Sequence, residues 1–245
     1  IYLSLAVSPY FGYGVCGAHL LREFAKRGRV YLDPGMGETM TWGNAMDDVI
    51  AKHTKKLTAD VDMPLLQFVG PDFEPQLPFR GNPNCAYVFS EWEPLSERQK
   101  LNLRRYDVLI AGSEWNAQVI RDAGFECFAV PQGVDTEVFR PLERRAFKDL
   151  FCIFSGGKWE HRKAQDLVLL AVREMQKRHD DAVLVTAWDS PWNVEKNRTG
   201  GIRAVEMPIS SHADLVNAMN QTDVGLFPNR CEGGTNLVMM EYLAC

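Results

Sequence analysis

No pair of the six cysteines has CxxC spacing, and only five histidines are present to assist them, which argues against a zinc cluster. No apolar run approaches the ~18 residues of a membrane span. No signal peptide is visible, and the opening on IYLSLAV without a starting Met leads us to expect that the true N-terminus is missing; no low-complexity tract or solenoid period appears. Neither sign of charge dominates: 27 basic against 32 acidic residues give a net charge of −5, which argues against a broad nucleic-acid surface. What remains is globular. The composition, 46% hydrophobic and 24% charged, excludes a disordered or collagen-like chain, and 245 residues suffice for one large domain or two of ~100–200. Several cysteines sit in apolar runs, such as Cys152 in LFCIF, and read as buried thiols of a reducing cytoplasm. The Asn-x-Thr triplets at Asn197 and Asn220 read as accidental.

Short apolar runs alternate with amphipathic stretches. IYLSLAV, RVYLDP, LLQFVG, CAYVF, VLIAGS and ECFAVP read as strands. AHLLREFAKRG reads as a helix ending at Gly28, and SEWNAQVIRDAGF as a helix capped by Ser113 and closing near Gly124. A second series runs LFCIFSG, AQDLVLLAVREMQKRH, AVLVTAW, AVEMP, HADLVNAMNQ, VGLFPN and TNLVMMEYLAC. Continuous apolar strands suit parallel sheets buried on both faces, so the expected fold class is α/β with two Rossmann-like domains, 1–141 and 142–245. The boundary is placed near Pro141, inside the polar stretch GVDTEVFRPLERRAFK.

Ligands in such sheets sit beyond the carboxyl ends of strands, so the loops there are the places to look for chemistry. SPYFGYGVCGAHLL carries Gly12, Gly14 and Gly17 in G-x-G-x-x-G spacing. It reads as a phosphate cradle or as a tight strand–helix turn, and Asp33 further on keeps a dinucleotide reading open. FSGGKWEHRKAQDLV places Lys158, His161, Arg162 and Lys163 between a strand and a helix, as an anion site or a solvated basic turn. NRCEGGTNLVMMEYLAC has Glu232, then Gly233 and Gly234, then Thr235 or Asn236 to cap a helix bearing Glu241. VFSEWEPLSERQ places Glu91 and Glu93 after a strand, where they could deprotonate or orient a hydroxyl, cap the next helix, or lie in solvent. Asp60-Val61-Asp62 has the form of a metal-holding DxD but precedes its strand, the wrong end for a metal site.

Taken in order, YDVLIAGSEWNAQVIRDAGF, VPQGVDTEVFRP, FSGGKWEHRKAQDLVLLA and ADLVNAMNQTDVGLFPNRCEGGTNLVMMEYLAC resemble the retaining GT-B fold glycosyltransferases, family-4-like and group 1, which include many cell-envelope polysaccharide enzymes. The resemblance implies transfer of a hexose from a nucleotide diphosphate sugar to an acceptor hydroxyl with retention, and no cofactor or metal. By position, it implies that Lys158, standing where the family has Arg, and Lys163 contact the donor diphosphate. Glu232 would bind hydroxyls of the transferred sugar and Glu241 the ribose. Gly234, Thr235, Asn236 and Leu237 would offer backbone groups to phosphates and sugar, and Gly14 would approach the diphosphate from the other side. The loop around Asp189 to Trp192 would help read the base.

The chain departs from the family pattern at three points. Eight residues separate the two glutamates instead of seven. Glu91 and Glu93 stand where the family often has an acceptor-side histidine. Relatives continue beyond the last helix, so the second domain is expected to be incomplete, with the apolar face of that helix uncovered. The implied partners are the nucleotide sugar and a saccharide, lipid-linked or protein acceptor, met in the cytoplasm or at the inner face of the membrane. A nucleotide-sugar epimerase of the same fold, an NAD-dependent oxidoreductase and a non-catalytic nucleotide-sugar-binding module are the competing readings.

Overall fold

The computed structural model describes residues 1–34, 42–143, 146–189 and 199–245. Asn197 and the base-reading positions 190–192 lie outside them. The chain forms two compact units: Ile1–Gln132 with Gly233–Thr235, and Gly133–Glu232 with Asn236–Cys245.

In the first unit, β1 (Tyr2–Ser4), β2 (Tyr31–Asp33), β3 (Leu65–Val69), β4 (Asn84–Val88), β5 (Val108–Ala111) and β6 (Phe128–Ala129) form one parallel sheet in the order β2-β1-β3-β4-β5-β6. Helices cover both faces. Ala18 and Leu21 of α1 (Gly12–Arg27) and Ile50 of α2 (Ala45–His53) pack with Leu3, Leu5 and Leu32. Leu103 of α3 (Glu97–Leu103) and Ala117 and Ile120 of α4 (Glu114–Asp122) pack with Val88, Leu109 and Ala111. Burial on both faces explains why these strands read as unbroken apolar runs. The caps are local chemistry. Ser113 Oγ accepts the Asn116 N–H at 3.1 Å, and Ser96 with Gln99 forms a capping box on α3.

Helix α1 begins six residues before the expected AHLL start and absorbs the glycine-rich stretch. A Cβ at Gly14 would lie 2.5 Å from the Ser8 nitrogen, and one at Gly17 would lie 2.1 Å from the Ala6 carbonyl oxygen. These glycines therefore let the helix lie directly on the strand-end backbone. Gly17→Ala is expected to lift α1 from the sheet and destabilise the chain by about 1–3 kcal/mol, the cost of overpacking, read as a lower urea midpoint with unchanged slope.

In the second unit, β7 (Phe151–Lys158), β8 (Ala182–Asp189), β9 (Ala204–Glu206) and β10 (Val224–Gly225) form a parallel sheet in the order β10-β7-β8-β9. Adjacent residues face opposite sides. Ile153 and Leu184 pack with Val168 and Val172 of α5 (Gln165–Gln176), while Phe154 and Val185 pack with Val216 and Met219 of α6 (His212–Asn220). The last helix, α7 (Leu237–Ala244), docks by one side: Tyr242 stacks on Phe154 at 5.3 Å and its hydroxyl lies 3.1 Å from Thr222 Oγ1. Only one side of it is open, where Leu243 is 76% exposed.

The polar stretch after Gly133 belongs to the second unit. Phe139 is buried in its core, Asn220 bonds Arg140 O and the Leu142 N–H, and Gln221 accepts the Ala146 N–H at 2.7 Å. Asn220 is thus buried and fully engaged, which leaves its glycosylation triplet without an accessible amide. Among the described residues no helix is long and apolar enough to cross a membrane.

Candidate active site

In the second sheet the connections run from β7 to β8 to β9 on one side, and the chain then returns to β10 on the other side of β7. The reversal between β7 and β10 is a topological switch point, where a crevice opens beyond the carboxyl ends of the strands. Both loops singled out in this half of the sequence leave from there.

The loop after β7 passes Trp159 and Glu160, makes a 3-10 turn over His161–Lys163, and enters α5 through Ala164 in the left-handed region at φ 57°. Gln165 Nε2 donates to Lys158 O at 2.5 Å and closes the loop on its own strand. This turn places Lys163 and Arg162 against the loop that follows β10. Lys163 Nζ donates to Glu232 Oε2, Arg162 Nη1 lies 3.3 Å from Glu232 Oε1, and Asn229 Nδ2 donates to Glu232 Oε2 at 2.6 Å. Arg162 Nε also donates to Glu160 Oε2 at 2.7 Å. The side chains of Lys163, Glu232 and Arg162 are 16%, 22% and 28% exposed, so the cluster is half-sheltered yet open to a ligand.

Arg230 holds the two loops in register. Its backbone N–H donates to Arg162 O at 2.8 Å, and Nη1 donates to His161 O at 2.8 Å. Its guanidinium grips Asp166 through both carboxylate oxygens, at 2.8 and 2.7 Å. Those hydrogen bonds hold the Asp166 carboxyl down at about 2. The sequence reading missed Arg230, Asn229 and Glu160. The available signal was a cation beside an amide, two and three residues before the first glutamate.

Glu241 lies in α7 and is 5% exposed. Burial alone pushes its carboxyl up to about 8, so it is mostly protonated at neutral pH. Asn236 caps α7, its side chain accepting the Met239 N–H at 3.3 Å, and Leu237 is the first helical residue. Thr235 belongs to the first unit, where Oγ1 donates to Gln132 Oε1 at 3.0 Å. Gly233 and Gly234 also belong there: a Cβ on Gly233 would lie 2.1 Å from Ser90 O, and one on Gly234 would lie 2.6 Å from the Phe89 ring. Lys158 ends β7, five residues before Lys163.

In the first unit, Glu91 and Glu93 stand exposed beyond the carboxyl end of β4. They do not cap α3, because Ser96 does. Asp33 is 3% exposed and accepts the Leu57 N–H at 2.7 Å, a loop-holding role in place of the cofactor role that a dinucleotide site would give it. Asp60 accepts the Arg80 N–H at 2.8 Å and Asp62 accepts from Asn82 Nδ2 at 3.0 Å, so the DxD triplet pins the chain before β3.

No family model matches the chain, and no curated protein matches it. Among solved structures it is similar to sucrose-phosphate synthase from Thermosynechococcus elongatus, with TM-score 0.66 and 16% identity over 100% of this chain and 78% of that one. It is also similar to trehalose-6-phosphate synthase from E. coli, a structure bound with UDP-2-fluoro glucose, with TM-score 0.67 and 12% identity over 99% of this chain and 80% of that one. At these identities the likeness speaks to architecture: the chain has the α/β GT-B fold, with a parallel Rossmann-like sheet in each of its two units.

Proposed function

We propose that the chain is a retaining glycosyltransferase that moves a hexose from a nucleotide diphosphate sugar to an acceptor hydroxyl. The observation that carries this reading is the set of Lys163, Arg162 and Glu232 at the β7/β10 switch point, where cations for a diphosphate and a carboxylate for hydroxyls share one crevice. Lys158 and Lys163 oppose the negative charge that grows on the leaving diphosphate, the term that commonly dominates such chemistry. Glu232 accepts hydrogen bonds from the transferred sugar, and Glu241 from the ribose. We assign backbone groups of Gly234, Thr235, Asn236 and Leu237 to phosphates and sugar, and Gly14 to the diphosphate. The acceptor hydroxyl, on a saccharide, a lipid-linked intermediate or a protein, enters from the face that the diphosphate leaves, and Glu91 and Glu93 are the acceptor-side candidates. The reaction belongs to the cytoplasm or the inner face of the membrane.

The test starts with a melting screen over UDP-, GDP- and ADP-hexoses. The donor, at 100 times its dissociation constant, is expected to stabilise by ~2.7 kcal/mol. Product analysis with that donor then decides the class. A glycosylated acceptor with the donor's anomeric configuration supports the proposal. An epimerised nucleotide sugar, a nicotinamide absorbance change or binding without turnover would each replace it. The lysines can neutralise the leaving group unaided, so turnover is expected to survive EDTA; loss restored by magnesium or manganese would overturn the metal-independent part of the reading.

A further inference from the structure

Both oxygens of Glu232 are committed to the groups that a diphosphate would use. Oε2 takes Lys163 Nζ together with the Asn229 amide, and Oε1 faces Arg162 Nη1. We infer that Glu232 and the donor diphosphate are exchangeable counter-ions of Lys163 and Arg162, so that diphosphate arrival hands the Glu232 carboxylate over to the hydroxyls of the transferred sugar. The inference rests on the donor site proposed above. It adds Arg162 as a diphosphate ligand and couples recognition of the two halves of the donor.

Four features favour an exchange over a fixed structural ion pair. The cluster keeps 16–28% of its side-chain surface exposed, so the pair is not sealed from solvent. A diphosphate has more charge and more acceptor oxygens than a single carboxylate, and it engages a guanidinium bidentately. The backbone under the cluster is fixed independently of it, by Arg230 on Asp166, His161 O and Arg162 O, so side chains can trade partners without moving the loops. Arg162 is already divided: its short bond, 2.7 Å, is to Glu160, and its contact with Glu232 is the long one at 3.3 Å. Once the cations turn to phosphate, Glu232 keeps only Asn229 and is left with acceptor capacity for sugar hydroxyls.

Calorimetry with UDP, GDP and the matching hexose conjugates tests the exchange on the whole chain. Glu232→Gln removes the competing charge, so the bare nucleoside diphosphate is expected to bind about two- to fivefold tighter, the scale of a half-exposed ion pair. The nucleotide sugar is expected to lose its advantage over the bare diphosphate. A fixed ion pair would leave the nucleotide sugar's advantage over the bare diphosphate unchanged, because its carboxylate would never pass to the sugar. Arg162→Gln is expected to weaken diphosphate binding, and by more in the Glu232→Gln background, where the arginine has no carboxylate to give up. Glu232→Asp, too short to span both cations, serves as the second variant if the amide does not fold. Binding of the bare diphosphate no tighter than in the unaltered chain, with that chain binding normally, would overturn the exchange alone. No nucleoside diphosphate binding by the unaltered chain would overturn the functional reading as well.

Discussion

Lys163→Ala is expected to lower turnover with the preferred nucleotide sugar by about 10²–10³-fold, the cost of deleting one group that opposes charge developing on the leaving group. It is also expected to weaken binding of the nucleoside diphosphate while leaving the bare nucleoside untouched. The fold should survive. Glu232 keeps Arg162 and Asn229 after the substitution, so its carboxylate is not left without a counter-ion. A large loss of turnover beside a small change in Tm is therefore the signature of a lysine that serves the diphosphate. Equal weakening of nucleoside and nucleoside diphosphate, measured by calorimetry, would remove it from that role.

The strands and most helices were legible because their signals are local. Val–Leu–Val-type runs, Ser113 before EWNAQ, and the amphipathic period of AQDLVLLAVREMQ each carry their instruction within a few residues. The start of α1 was not legible. Glycines written in phosphate-loop spacing also suit a helix pressed onto a strand, and only the 2.1 Å approach at Gly17 separates the two uses. The fate of the 133–148 stretch was hidden for another reason. Its residues Arg140, Leu142 and Ala146 are held by Asn220 and Gln221, whose side chains take backbone partners more than 70 residues earlier. Such bonds leave no period in the sequence.

The candidate site divides along the same line. Basic residues between a strand and a helix named Lys158, Arg162 and Lys163, and the second glutamate's apolar neighbours hinted that Glu241 would be inside. Nothing local told that Glu232 would serve as counter-ion to Lys163, 69 residues away. Nor could spacing assign Arg230, because its work lies in three partners on the other loop.

Glu241 supplies the second large effect. Its carboxyl sits at about 8 in the folded chain because burial penalises the charged form, against ~4.3 for an unfolded glutamate. The folded state therefore binds more protons than the unfolded state between those values, and stability must fall as pH rises through that window. The contribution is fully present below about pH 4, declines up to about pH 8, and is flat beyond. At 1.36 kcal/mol per pH unit the whole decline is about 5 kcal/mol, a large part of the 5–15 kcal/mol that a domain typically has. Glu241→Gln removes the titration, so the variant is expected to match the parent near pH 4 and to exceed it increasingly toward pH 8 in calorimetric unfolding. Other groups that titrate in both proteins cancel in the difference. The same carboxyl makes a claim on the donor. Ribose hydroxyls donating to its oxygens stabilise the charged form and pull its pKa down, so nucleotide binding at pH 7 is expected to release close to one proton. Titrations in two buffers of different ionisation enthalpy count that proton. The release should vanish at pH 9, where the carboxyl is already ionised, and in Glu241→Gln at every pH. Nucleotide binding at pH 7 without proton release, in a chain whose stability shows the expected decline, would leave Glu241 as a buried acid of the helix and place the ribose elsewhere.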